Sequence, residues 1–339
     1  MGGRASTRVA AAVVAVAAAT AIVAGAQAGP LTTTSRAASP STAVLVREAA
    51  PECRGPAGGR RPAYGWPVKP FYRQHPVRGY FGDPRIGGRP MGSVKAFHFG
   101  VDVSAPDGTP VYATTDGVAR AESRGVVSIR RADGAMFAYW HITPAVQSGQ
   151  QVTAYKTVVG HIIEGWGHVH FAEMRWGTYV NPLRPGAMGP YSDRTCPAFG
   201  EVRYERNGRE LTRRELTGRF DIVAGVYDMP AMSAPAPWLE LPVTPALVQW
   251  RLVDAKGRVA APWQAVYDVR NALPSGSYGT VYTDDTEQNR PNRPGRYRFV
   301  LARGFDASDL SPGKYTVQVV AVDTHGNRAR SSWRLVVGR

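Results

Sequence analysis

Residues 96–104 read Ala-Phe-His-Phe-Gly-Val-Asp-Val-Ser, and this stretch decides between helix and strand for the middle of the chain. His98 and Asp102 are four residues apart, a spacing that shares one face of a helix. Phe97, Phe99, Val101 and Val103 around Gly100 are poor helix formers, so the strand reading is preferred. On a straight strand the two side chains would lie about 13 Å apart at about 3.3 Å per residue. Two ligands of one metal ion need donor atoms within about 4 Å, given bonds of about 2.0–2.2 Å. If both act on one ion, the chain bends between them, and Gly100 is the residue that bends without strain. The stretch reads as ligand, turn, ligand.

Two further patterns follow from the same reasoning. His168-Val169-His170 sits in a strand-like run and places two imidazoles on one face, about 7 Å apart. That separation suits a division of labour, with one histidine on a metal and the other reaching a water or substrate. Met136–Ile142 (Met-Phe-Ala-Tyr-Trp-His-Ile) predicts a strand with Phe137, Tyr139 and His141 on one face. His141, at its end, is placed to line a cleft.

Outward from these motifs, short apolar stretches alternate with Gly, Pro and Asp turns: 110–114, 126–130, 136–142 and 169–174. No long window shows helical periodicity. A second series of strand-like runs covers 218–227, 247–253, 263–269, 297–301, 314–322 and 332–337, with turn signals at Pro312-Gly313 and Asp323–Asn327. The expected fold class is all-β: an antiparallel-sheet domain over 63–198, followed by an immunoglobulin-like β-sandwich over 199–339. The stretch Leu310–Tyr315 with Ala321-Val322-Asp323 and Gly326-Asn327 resembles the ending of many bacterial immunoglobulin-like modules.

The first 62 residues read differently. Arg4 and Arg8 precede an apolar Ala/Val run, and Ala26-Gln27-Ala28 is a small-x-small cleavage site, so 1–28 reads as a signal peptide. Residues 29–62, rich in Ala, Ser, Thr, Pro, Gly and Arg, read as a disordered linker. No other segment is apolar enough to cross a bilayer. The expected location is therefore secreted, periplasmic or in the cell wall. Cys53 and Cys196 are the only cysteines, so one disulfide connectivity exists if they bond; two free thiols are the alternative. The 339-residue chain carries a net charge of +15. Its basic residues are scattered and lack a nucleic-acid motif with stacking aromatics. An anionic envelope surface is the better partner for an exported chain, with a merely solvated basic surface as the plain alternative.

Taken together, His98-x-x-x-Asp102, Gly108-Thr109-Pro110-Val111-Tyr112-Ala113, Tyr139-Trp140-His141-Ile142 and His168-Val169-His170-Phe171 resemble the lysostaphin-type (M23) peptidases. Val77-Arg78-Gly79-Tyr80-Phe81-Gly82-Asp83-Pro84-Arg85, which resembles the family's opening FG-x-R stretch, Val146-x-x-Gly149-Gln150-x-Val152 and Asn181-Pro182-Leu183 add to the likeness, in the family's order. The resemblance implies antiparallel sheets with a groove, zinc held by His98, Asp102 and His170, and His168 and His141 acting on the water and the transition state. It also implies peptidoglycan or another cell-wall peptide as substrate. The chain departs from the family in two places. Val159–Gly167 is short and lacks the usual Gly- and Thr-rich loop, and Glu173 stands one place late after the His pair. No HExxH or GxSxG motif occurs, which removes those two hydrolase readings. The implied activity is that of a zinc endopeptidase. A non-catalytic peptidoglycan-binding or amidase-activating protein, and an envelope protein whose C-terminal module carries the function, are the competing classes.

Overall fold

The computed structural model describes residues 60–87, 95–122, 125–212 and 215–338. The expected signal peptide, nearly all of the linker and Cys53 lie outside the described residues. Cys196 is disulfide-bonded.

The chain is nearly all β, as expected, and every pairing between its strands is antiparallel. An eight-stranded sheet runs in the order Val77–Gly79, Val101–Ser104, His168–Arg175, Met136–Trp140, Val126–Arg130, Gly117–Glu122, Gln151–Val152, with Thr178–Val180 paired to His168–Arg175. A three-stranded sheet of Pro110–Tyr112, Val158–Ile162 and Ile142–Pro144 stands beside it, and Pro84–Ile86 pairs with Lys95–Phe97. The strand His168–Arg175 is the centre of the large sheet and is buried along most of its length. Such continuous burial suits its run of Val, Phe and Ala with few turn residues. Trp66, Phe137, Tyr139 and Phe171 pack beneath it without solvent contact.

The C-terminal half forms two four-stranded sheets. One runs Arg209–Glu210, Ala198–Arg206, Arg219–Tyr227, Arg298–Asp306; the other runs Val259–Asp268, Leu247–Asp254, Gly313–Val322, Arg328–Val337. Aromatic side chains meet between them: Trp250 with Phe305, Tyr267 with Phe299, and Phe199 with Trp333. The apolar faces of the two sheets thus bury each other, the usual solution for antiparallel sheets.

The two halves share a tightly bonded seam. The Thr244 amide donates to Asp83 Oδ1 at 2.9 Å, and Tyr282 Oη donates to the Gly82 carbonyl at 3.2 Å. Asn181 Nδ2 donates to the Val269 carbonyl at 3.0 Å, and Lys95 pairs with Asp284 at 2.7 Å. Phe97 packs on Tyr278 and Tyr282. The family-like stretch 81–85 is therefore held in part by the C-terminal half.

Candidate metal centre

The centre begins with strand register. His170 stands directly opposite Asp102 across the pair His168–Arg175/Val101–Ser104. Cross-strand partners place their Cβ atoms about 4.5–5.5 Å apart. The third member, His98, follows the strand Lys95–Phe97 and is tied down through its backbone: its amide donates to the Asp83 carbonyl at 2.8 Å, and its carbonyl accepts from Gly82 at 2.8 Å. The chain does bend at Gly100, as the spacing requires. The physical reason for glycine is close approach rather than an unusual φ: a Cβ there would collide with the Phe171 carbonyl oxygen and come within 2.8 Å of His170 Nε2.

His98 Nε2 lies 2.8 Å from His170 Nδ1, and Asp102 Oδ1 lies 3.1 Å from each of these nitrogens. Asp102 Oδ2 is turned the other way and accepts from Arg85 Nη2 at 2.8 Å. His98 Nδ1 donates to the Tyr80 carbonyl at 2.8 Å, so the neutral ring offers the lone pair of Nε2 to the cluster. His170 Nε2 is buried without a hydrogen-bond partner among the described residues. Two imidazole nitrogens and a carboxylate oxygen, all within 4.8 Å of one another, could hold a metal ion. This is a borderline-hard donor set that suits zinc.

Electrostatics favour the metal-ready protonation states. Burial, helped by the Arg85 charge, pushes the His98 imidazole down to about 3. Burial also lowers His170. Burial would raise the Asp102 carboxyl, but His98, His168 and Arg85 outweigh it and hold the group well below the usual carboxylate range. The site keeps neutral imidazoles beside an ionised carboxylate.

His168 and His141 line the same centre. His168 Nε2 is 3.4 Å from Asp102 Oδ1, and its ring centroid is 4.8 Å from that of His141. Two groups meet His168 Nδ1 and call for opposite tautomers: the Trp166 carbonyl at 2.7 Å only accepts, and Arg78 Nη2 at 2.5 Å only donates. With the proton on Nδ1 the Nε2 lone pair faces the cluster; with Arg78 donating to Nδ1, the proton stands on Nε2, 3.4 Å from Asp102 Oδ1. Burial pushes His141 down to about 2.

One expectation is corrected here. His141 does not continue the face of Phe137 and Tyr139, because its φ is 65° and the strand breaks there, ending at Trp140 and resuming at Ile142. The left-handed backbone swings the imidazole out of the pleat and onto Trp166, with ring centroids 3.6 Å apart and planes 10° apart. Sequence reasoning singled out 159–167 for what it lacks and missed what it supplies. Asp107 Oδ2 accepts from the Gly165 amide and Oδ1 from the Gly167 amide, each at 2.7 Å. Both glycines have positive φ, 82° and 57°, so the turn that carries Trp166 is tight. The only sequence signal was Gly-Trp-Gly after a Pro-Asp-Gly turn. Arg78 and Arg85 were also missed as neighbours of the centre.

The remaining histidines stand elsewhere. His161 is exposed, His75 bonds the Pro70 carbonyl, and His325 packs near Tyr191. A second acidic group, Asp193, Asp228 and Asp323, brings three buried carboxylates within 4.8 Å of one another. Their spacing of 35 and 95 residues offered no motif to read. Neighbouring amides and hydroxyls bond Asp193 and Asp323.

Known proteins bear on the first centre. Residues 96–182 match the description Peptidase family M23. The "DD-carboxypeptidase/endopeptidase Mpg" of Neisseria meningitidis serogroup B is 34% identical over 94 residues, covering 25% of this chain and 22% of the relative. The same enzyme of Neisseria gonorrhoeae matches equally. The chain thus spans about a fifth of the length of the curated relatives it matches. Among solved structures, the catalytic domain of the prophage-encoded M23 protein EnpA from Enterococcus faecalis is 31% identical, covers 36% of this chain and 94% of that one, and has a TM-score of 0.25. A zinc-containing peptidase from Vibrio cholerae is 24% identical, covers 38% and 39%, and has a TM-score of 0.28. The matched segment contains His98, Asp102, His141, His168 and His170, and with it the chain carries a peptidase family M23 domain.

Proposed function

We propose that this protein is a secreted zinc endopeptidase that hydrolyses peptide bonds of bacterial peptidoglycan. The observation that supports it most is the convergence of His98 Nε2, Asp102 Oδ1 and His170 Nδ1, with His168 and His141 on the same side. In this reading His98, Asp102 and His170 would hold the ion. Lewis acidity toward the scissile carbonyl and toward the attacking water is what zinc supplies in such a set. His168 takes the water's proton on Nε2 in the tautomer whose Nδ1 proton goes to the Trp166 carbonyl, the one that Arg78 beside Nδ1 disfavours. His141, neutral, hydrogen-bonds the developing oxyanion through its N–H, and the proton that His168 took from the water goes on to the leaving amine. Arg85 holds Asp102 Oδ2 from behind and leaves Oδ1 toward His98 Nε2 and His170 Nδ1, where it would serve as the ligand oxygen.

The peptidoglycan substrate rests on the matched relatives' names and on the basic charge of the chain. Export rests on the N-terminal signal-like segment. The C-terminal half is proposed to be immunoglobulin-like on its two packed sheets and its strand-turn endings.

The test is incubation of the mature protein with purified peptidoglycan, with and without chelator, and identification of released fragments by mass. Chelator-sensitive release of peptide-cleaved fragments is expected. Stoichiometric zinc without any release from several wall types would reject the enzyme in favour of a binding protein.

A further inference from the structure

The outward face of one C-terminal sheet carries an unusual charge arrangement. Along Arg328–Val337, Ala329, Leu335 and Val337 are buried, while Arg328, Arg330 and Arg334 point to solvent on the opposite face. Register places Gln318 of the adjacent strand opposite Arg251 on its other side. Gln318 Oε1 accepts from Arg251 Nε at 2.7 Å and also from Arg330 Nη2. Trp263, on the next strand, lies under both guanidinium groups, at 4.8 Å from Arg251 and 5.8 Å from Arg330. Trp263 remains 37% exposed.

Two cations are thus held side by side by a neutral amide and a ring rather than by an acid. Among the described residues no ion pair joins Arg251, Arg328, Arg330 or Arg334 to a carboxylate, and the acids at the ends of the neighbouring strands pair elsewhere, Asp254 with Arg258 and Asp268 with Arg270. Like charges adjacent on a sheet face are destabilising, and most sheets intersperse opposite signs. Each guanidinium commits one N–H to Gln318 and keeps the rest of its planar fork for another acceptor. A fork of this kind matches a carboxylate bidentately. An exposed indole beside it offers an apolar face for a sugar ring.

We propose that this face binds the carboxylate-bearing glycan–peptide polymer of the cell wall, with Arg251 and Arg330 as the central pair, Trp263 as the stacking surface, and Arg328 and Arg334 extending the track. The choice of that polymer as occupant rests on the proposed substrate; the unpaired cationic face does not. The surface would hold the enzyme on an insoluble substrate while the metal centre acts on single peptides, and so raise the local concentration of bonds to cut.

The experiment uses the full chain and peptidoglycan sacculi stripped of attached phosphate polymers, with chelator present to prevent hydrolysis. Arg251→Gln/Arg330→Gln is expected to weaken sedimentation with sacculi by at least about tenfold, given what charge-assisted hydrogen bonds contribute. Arg251→Lys/Arg330→Lys is expected to restore part of the binding, and its thermal midpoint guards against loss through misfolding. Sacculi with amidated carboxylates are expected to release the wild type. Undiminished binding by the Gln variant, or equal binding to amidated sacculi, overturns the proposal. Without chelator, cleavage of a small soluble peptide is expected to be unchanged in the Gln variant. Cleavage with no role for this face sinks the surface alone, whereas binding through this face without cleavage of any peptide sinks the peptidase reading alone.

Discussion

The indole of Trp166 lies flat on the imidazole of His141, at a centroid separation of 3.6 Å. The same residue's carbonyl lies 2.7 Å from His168 Nδ1. One residue therefore orients both histidines assigned to proton handling. Trp166→Ala is expected to cut peptide turnover by about tenfold or more, part of the about 10²–10⁴-fold such groups contribute. Zinc content should stay stoichiometric, because none of the three ligands touches the lost ring. Trp166→Phe should recover part of the rate through the remaining stack. Loss of zinc along with activity in the alanine variant would refute this division of roles.

Asp107 acts one step further out. Its carboxylate spans the Gly165 and Gly167 amides, and these two bonds, first Gly165 and then Gly167, hold its pKa below the ordinary value. Asp107→Ala frees a turn whose glycines would otherwise sample many conformations. Turnover is expected to drop several-fold, about as far as for a loosened Trp166, while the melting temperature moves little because the turn is exposed. Asp107→Asn keeps an acceptor and should sit between alanine and wild type. A wild-type rate in Asp107→Ala would show that the turn holds its shape without the staple.

Zinc itself should stabilise the fold by mass action. An ion bound only by the native state adds about 2.7 kcal/mol at a free concentration one hundred times its dissociation constant. Calorimetry of the metal-stripped protein should show the midpoint climbing as zinc is added. His98→Ala should show almost no climb, since two ligands remain where three converged. An equal climb in both proteins would place the ion somewhere other than beside His98.

The fold class and the five histidine and aspartate positions were legible because each lies within a short motif, and β alternation is a local property. Val126–Arg130 matches its expected bounds, and the strand over 314–322 begins only one residue earlier. The break at His141 was not legible, since a lone left-handed residue leaves no trace in alternation. Neither were the roles of Arg78 and Arg85, on the strands Val77–Gly79 and Pro84–Ile86, nor of Asp107 beneath the Trp166 turn, because no local spacing encodes their tertiary placement. The seam was invisible for the same reason: the pairing of Asp83 with Thr244 joins residues 161 positions apart. That seam also makes removal of residues 200–339 a poor probe of wall binding, because it would strip the family-like stretch 81–85 of its partners.

The late acidic residue after the His pair has a structural explanation that yields its own prediction. Glu173 is fully buried and accepts from Tyr64 Oη at 2.6 Å, from Arg184 Nη1 at 2.6 Å and Nη2 at 2.9 Å, and from Arg175 Nε at 2.7 Å. Burial alone would raise its carboxyl; the Arg184 and Tyr64 hydrogen bonds outweigh burial and lower it. Arg184→Ala leaves a buried carboxylate short of two of four donors. Removal of one partner from such a pair costs about 3–5 kcal/mol. Chemical denaturation should show a loss of that size, and a loss below about 1 kcal/mol would mean that Arg175 and Tyr64 suffice.

The acidic group at the seam should make stability fall as pH rises. Burial, then the Asp323 and Asp193 charges, pushes Asp228 up to about 8, and burial, then Asp193, pushes Asp323 up to about 7. Unfolded aspartates titrate near about 3.9, so from about pH 4 to about pH 8 the native state holds more protons than the unfolded chain, and stability declines with pH. His98, His141 and His170, all lowered, impose the opposite slope at acid pH, because the unfolded imidazoles protonate first. Comparison with Asp228→Asn cancels that contribution, since the histidines are common to both proteins. In chelator, the melting temperature of Asp228→Asn relative to wild type should climb steadily across that window and level off above it, as the neutral amide avoids the repulsion that the ionised carboxylate meets. A difference that stays constant with pH would mean that Asp228 is already ionised in the acid range and that its neighbours, Thr195 and the Met229 amide, compensate its charge.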